Sequence, residues 1–268
     1  MTRSDRSPVF WKLGTALLLA AAATPAFAGV PACSPTVFQS TPHLVSTSAT
    51  EFVATADFNG DSHQDLATTG SSSPQIGILL GDGAGAFSPQ PSLPANFPHG
   101  LEALDVDTDG DIDIVTLDSG ELRVYRANGD GSFQSPVSSP TGGNFVGSLV
   151  LGLFDADAEP DAVLLDSFDF PPQPSTIRFL KGVGDGTFTL GPTLALPPAT
   201  GMAAALFDAD AEIDLAVSHS SGAISILRGN GDGTFAEQPP IPMSFGVGVP
   251  LAADVTGDGD TDIVVPVG

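Results

Sequence analysis

The chain of 268 residues contains a single cysteine, Cys33, so no intrachain disulfide holds its fold. Trp and Tyr occur once each. Lys and Arg number 8 against 32 Asp and Glu, for a net charge of −24. Such a chain is repelled by nucleic acid and by anionic membrane surfaces. No apolar run is long enough to span a membrane. Gly and Pro, in contrast, are abundant at 31 and 24 residues. Both break helix interiors, which excludes a helical bundle or coiled coil. Hydrophobic residues make up 41%, enough for a sizeable core and too many for wholesale disorder.

The N-terminus carries a transport signal. Arg3, Arg6 and Lys12 precede an apolar run from Leu13 to Ala23, and Ala26-Phe27-Ala28 supplies a small-x-small cleavage pattern. This predicts a signal peptide over residues 1–28, a short leader over 29–35 and an exported protein, whether secreted, periplasmic or at the cell surface. Val30-Pro31-Ala32-Cys33 is a poor lipobox, so Cys33 reads as an incidental thiol.

Two short patterns then alternate along the chain. An Asp-rich nonapeptide ends at Asp65, Asp113, Asp161, Asp214 and Asp262, at intervals of 48, 48, 53 and 48 residues. A Gly-Asp-Gly-x-Phe turn ends at Phe87, Phe133, Phe188 and Phe235, loosened in its first copy. Apolar stretches enter and leave each Asp loop, as in Met202–Leu206 and Leu215–Val217. A third strand such as Ile224–Arg228 follows, and Asn230-Gly231-Asp232-Gly233 makes a tight hairpin. Four antiparallel strands every 45–50 residues predict all-β propeller blades over residues 36–268. Phe38 stands 19 residues before Asp57, as Phe235 does before Asp254. The repeat phase therefore starts on a fourth strand and stops after a second, at Val265. About five repeats form either an imperfect ring or an arc of something larger.

Oxygen ligands at alternate positions of a tight loop wrap a hard cation, and Ca²⁺ takes six to eight of them. Positions 1, 3, 5, 7 and 9 are Asp57, Asn59, Asp61, His63 and Asp65 in the first copy. In the second they are Asp105, Asp107, Asp109, Asp111 and Asp113, and in the fifth Asp254, Thr256, Asp258, Asp260 and Asp262. Position 7 commonly ligates through its carbonyl, so the His63 ring need not take part. Carboxylates about 4 Å apart repel by roughly 1 kcal/mol in water and 4 kcal/mol at an effective dielectric of 20. With few basic residues in the chain, calcium is the expected counter-ion. The third and fourth copies have Leu153 and Leu206 at position 1. They retain Asp155, Asp157, Glu159, Asp161 and Asp208, Asp210, Glu212, Asp214, and are expected to bind more weakly. An EF-hand is excluded because its twelfth-position Glu is replaced by Thr68, Thr116 or Val265.

The run Ala56-Asp57-Phe58-Asn59-Gly60-Asp61…Asp65-Leu66-Ala67, paired with Asn230-Gly231-Asp232-Gly233-Thr234-Phe235, resembles the FG-GAP/VCBS repeat family. The resemblance implies integrin-α-like β-propeller blades, with calcium held between first and second strands. It implies adhesion, binding or accessory roles and no particular activity.

Catalytic constellations are missing: there is no Gly-x-Ser-x-Gly elbow, His-Glu-x-x-His pair or Walker loop. His43, His63, His99 and His219 fall at unrelated phases of the repeat. The sequence predicts a calcium-binding protein-binding or adhesion module rather than an enzyme. The alternatives are a lectin-like carbohydrate-binding module or a non-catalytic domain of a polysaccharide-active enzyme. Self-association could complete the missing strands. The third repeat is longer, around Ser167–Pro174, and Phe168 and Phe170 there are the candidate partner contacts.

Overall fold

The computed structural model describes residues 50–70, 72–118, 120–143, 147–167, 173–243 and 246–267. Among them all regular structure is β. The first blade runs β1 (Phe52–Ala56), β2 (Asp65–Thr69), β3 (Gln75–Gly81) and β4 (Phe87–Pro89), with short β5 (Leu93–Pro94) also on β3. The second runs β6 (Leu101–Leu104), β7 (Asp113–Asp118), β8 (Glu121–Tyr125) and β9 (Val137–Pro140). The third comprises β10 (Leu149–Gly152), β11 (Asp161–Asp166), β12 (Ser175–Gly182) and β13 (Phe188–Leu196). The fourth comprises β14 (Ala199–Ala205), β15 (Asp214–His219), β16 (Ala223–Gly229) and β17 (Phe235–Glu237), with β18 (Ile241–Pro242) on β16. A fifth sheet holds β19 (Leu251–Ala253) and β20 (Asp262–Val264).

Every pairing is antiparallel between sequence neighbours, apart from β5 and β18, which return to the third strands. First strands lie side by side, β1 against β6, β6 against β10 and β14 against β19. The blades thus succeed one another around a common axis as a propeller whose ring is not closed.

Second strands explain how the blades adhere. Alternate residues of a strand face opposite sides of its sheet, and in β7, β11 and β15 all six residues are buried. Ile114 and its cross-strand partner Tyr125 pack on Ala54, Ile76 and Ile78 of the first blade. Val115 and its partner Val124 pack on Leu164, Leu180 and Phe188 of the third. A third apolar layer joins Val163, Leu165 and Phe179 to Met202, Leu215 and Val217. Full burial of such a side chain stabilises by roughly 1.5–3 kcal/mol. This double-sided burial is why the strands read as unbroken apolar runs.

The turn Phe closes each layer above the strands. Phe133 meets Phe58 edge-on at 5.6 Å, and Phe235 meets Phe154 at 6.0 Å. In both cases the partner is position 2 of the preceding blade's Asp loop. The Gly131 and Gly233 N–H groups donate to those same residues' carbonyls at 2.9 and 3.0 Å. The predicted signal peptide, Cys33, Phe38, Phe168 and Phe170 lie outside the described residues.

Candidate metal centre

Each Asp loop joins the first strand of a blade to the second, and its ninth residue opens that second strand. In the first, second and fifth loops the position-1 carboxylate organises the turn. Asp57 accepts the N–H groups of Asn59, Gly60, Asp61 and Ser62. Asp105 accepts those of Asp109 and Gly110, and Asp254 those of Gly257 and Gly259. The chain coils tightly around it, with positive φ at positions 4 and 6. These are Gly60 at 74° and Ser62 at 69°, Thr108 at 61° and Gly110 at 99°, and Gly257 at 76° and Gly259 at 93°.

Coiling brings positions 1, 3 and 5 together. In the second loop, carboxylate oxygens of Asp105, Asp107 and Asp109 all lie within 4.8 Å of one another. Asp107 Oδ1 is buried without a hydrogen-bond partner. Burial and the neighbouring Asp109 raise the Asp107 pKa. An orphaned anionic oxygen beside two further carboxylates is a donor set suited to a hard cation. In the first loop Asn59 donates to Asp61 at 3.1 Å, and His63 Nδ1 stands 3.2 Å from Asp61. These residues face an open concavity of about 470 Å³, also lined by Leu80, Asp82 and Phe87. Thr256, Asp258 and Asp260 of the fifth loop are solvent-facing.

Position 9 does a different job. Asp65, Asp113, Asp161 and Asp214 are fully buried. One oxygen of each accepts the position-2 N–H, from Phe58, Val106, Phe154 and Phe207. The other accepts an N–H at the end of the third strand, from Gly81, Ala127, Gly182 and Gly229. Burial pushes the Asp113 and Asp161 carboxyls up to about 6 despite these bonds. Each position-9 residue therefore rivets its loop to two strands. Asp262 makes the position-2 contact, through Val255, and also accepts the Thr256 N–H.

Position 7 docks on the neighbouring turn. A Cβ on Gly83, Gly129, Gly184 or Gly231 would fall 2.3–2.6 Å from the side chain of His63, Asp111, Glu159 or Glu212 respectively. All four glycines also have positive φ. The two motifs travel together because one packs over the other. The turn aspartates Asp130, Asp185 and Asp232 accept hydroxyl and N–H bonds from Ser132, Thr187 and Thr234, which lower their pKa values. Loops and turns therefore share one side of the blades.

The third and fourth loops are built otherwise. None of Ala156, Ala158, Ala209 or Ala211 has positive φ. Lys181 Nζ binds Asp155 and lies 2.6 Å from Asp157. Arg228 Nη1 lies 3.2 Å from Asp208. The two carboxylates raise the Lys181 pKa, and Lys181 lowers that of Asp157. Basic side chains, too few in the composition to be expected as counter-ions, serve as such in these loops. All five Lys and Arg of the described residues sit on or just beyond third strands, and all pair with carboxylates. Arg126 reaches Asp107 at only 3.8 Å, its stem lying under Gly186 of the next blade. Leu80 stands in the corresponding place in the first blade. Alignment on the Gly-Asp-Gly turn exposes the series, since Arg126, Lys181 and Arg228 each precede its first glycine by three residues.

At the other end of the blades, Arg123 pairs with buried Asp118 and Arg178 with Asp166. Buried His219 lies 2.9 Å from Ser225.

FG-GAP-like repeats match the chain at residues 57–116, 105–164 and 207–265, more than half of its length. No curated protein matches it in sequence. Among solved structures it is similar to a lectin from Agrocybe aegerita that recognises non-reducing terminal N-acetylglucosamine. That similarity has TM-score 0.56 and 18% identity, over 80% of this chain and 60% of the lectin. It is also similar to BBS1N crystallised with ARL6DN, at TM-score 0.54 and 11% identity, over 80% of this chain and 59% of the other. The chain spans about three fifths of both, and at these identities the likeness establishes the fold alone.

Proposed function

The chain belongs to the FG-GAP-like repeat family, and from that premise we propose that it is an exported β-propeller binding module, braced by calcium, that engages a protein partner in an adhesion-type role. The observation that carries the reading is the Asp105, Asp107 and Asp109 cluster with its orphaned Asp107 oxygen. Asp57, Asn59 and Asp61 hold the equivalent positions in the first loop, and Asp254, Thr256 and Asp258 in the fifth. Bound calcium would neutralise carboxylates that otherwise repel across the turn. Export rests on the signal-like residues 1–28. FG-GAP repeats are typically non-catalytic, and we nominate no catalytic residue.

A glycan partner is the second reading, favoured by the fold shared with the Agrocybe aegerita lectin. A protein fits better. Sugar platforms use exposed aromatic faces, whereas Tyr125 is buried and donates its hydroxyl to the Pro94 carbonyl at 2.6 Å. The large exposed aromatic among the described residues is Phe97, on the connector between the first two blades. Calcium titration of metal-free protein, with melting curves in calcium and in EGTA, tests the first part. Each ion bound at one hundred times its Kd adds about 2.7 kcal/mol. Chelation should therefore lower Tm, and an unchanged curve overturns the calcium reading. Glycan-array binding would replace the protein partner with a sugar.

A further inference from the structure

We infer that the third and fourth Asp loops do not take calcium, because Lys181 and Arg228 supply the positive charge at their carboxylates from within the chain. The inference deepens the calcium reading above, and rests on it for the contrast between loops.

Three independent features carry it. First, Leu153 and Leu206 replace the position-1 carboxylate that gathers backbone N–H groups in the other loops, and Leu206 is 48% exposed. Without that hub the loop cannot close around an ion in the same way. Second, the backbone takes another path. Positions 4 and 6 are left-handed in the first, second and fifth loops, and are not so at any of the four alanines. An alanine is strained in that region, where its Cβ crowds the following carbonyl, and it has no side-chain hydrogen bond to offset the strain.

Third, the place of an ion is filled. Lys181 Nζ bridges Asp155 and Asp157, and Arg228 holds Asp208. A tethered ammonium acts at a high effective concentration. Calcium sites of the extracellular kind bind at only about 10⁻⁴–10⁻³ M, and here an entering ion would also lack one carboxylate. The Arg126 guanidinium does not do the same in the second loop. It lies 3.8 Å from Asp107, leaves Asp107 Oδ1 unpartnered, and the coil around Asp105 is intact.

The test compares full-length protein with three variants: Asp155→Asn/Asp157→Asn, Lys181→Met, and all three changes combined. Bound calcium is counted by equilibrium dialysis, and Tm is measured in calcium and in EGTA. We expect no more than three ions per chain, unchanged in every variant, because Lys181→Met still lacks the position-1 carboxylate and the left-handed turn. Lys181→Met should lower Tm by about 2–4 °C, equally in calcium and EGTA, and the combined variant should recover most of that loss. Loss of an ion, or of part of the calcium-induced shift, in Asp155→Asn/Asp157→Asn overturns the inference. So does strict additivity of Lys181→Met with the two Asn changes. A wild-type protein that binds no calcium overturns the calcium reading alone, and the Lys181 coupling then still decides the built-in charge. If Lys181→Met does not fold, Arg228→Met with Asp208→Asn gives the same comparison in the fourth loop.

Discussion

The Gly182 N–H donates to the Asp161 carboxylate at 2.8 Å, joining residues 21 positions apart. Because the other Asp161 oxygen accepts the Phe154 N–H at 3.1 Å, one buried side chain fixes the loop, the second strand and the end of the third. Asp161→Asn puts an amide NH₂ against one of those donors. In metal-free protein it should cost about 2–3 kcal/mol, read as a lower urea midpoint. Asp262→Asn should cost less, because Asp262 is only half-buried and has no third-strand donor among the described residues. Equal losses would refute the rivet.

Gly233→Ala should be among the most damaging turn substitutions. A Cβ there meets the buried Phe179 ring at 2.4 Å, and φ is +77°. Left-handed strain of about 1–2 kcal/mol adds to overpacking of about 1–3 kcal/mol. Gly85→Ala carries only the strain, since nothing lies within 4 Å of its Cβ. Chemical denaturation of the two variants should separate them by at least 1 kcal/mol.

Asp105→Leu imitates the third and fourth loops at the second. It strips the acceptor from the Asp109 and Gly110 N–H groups. Stability should fall by about 1–3 kcal/mol even in EGTA, and a calorimetric titration should lose one calcium. Retained stoichiometry would show that position 1 is not needed for ion binding.

Stability of the metal-free protein should decline as pH rises. Glu102 lies opposite Val115 and alternates with Leu101 and Ala103, which pack on the first blade; burial pushes its carboxyl up to about 8. Asp113 and Asp161 stand at about 6 for the same reason. Raised carboxyls hold protons in the folded state that the unfolded chain releases near pH 4. Their contribution is therefore complete below about pH 4, and is lost through 6 for the two aspartates and through 8 for Glu102. Glu102→Gln should abolish the decline between pH 6 and 9. The limit for full burial is about 5 kcal/mol, and partial exposure reduces it to about 2 kcal/mol. Parallel profiles for wild type and variant over that range would count against this account.

The repeat phase, the strand order and the shared side of loops and turns were legible because period and turn chemistry are local properties. Asp214 opening β15 and Ala223–Gly229 forming the third strand are cases in point. Lys181 was not legible as the partner of Asp155, which lies 26 residues away. The longer second-to-third connection of that blade also hides its phase when repeats are aligned on the Asp loop. The buried riveting role of Asp65 and its equivalents was masked by their carboxylates, which look alike as ligands and as hydrogen-bond acceptors. Only tertiary placement separates the two roles.

The seating of Glu159 over Gly184, repeated as Glu212 over Gly231, has a consequence for engineering. Neither the loop nor the turn can change length alone, because an added residue would lift the side chain off its glycine and carry the flanking strand ends out of register. Insertions, epitope tags and circularly permuted termini should therefore be placed in the second-to-third connections at the opposite end. The third repeat already carries its extra length there, between Asp166 and Ser175.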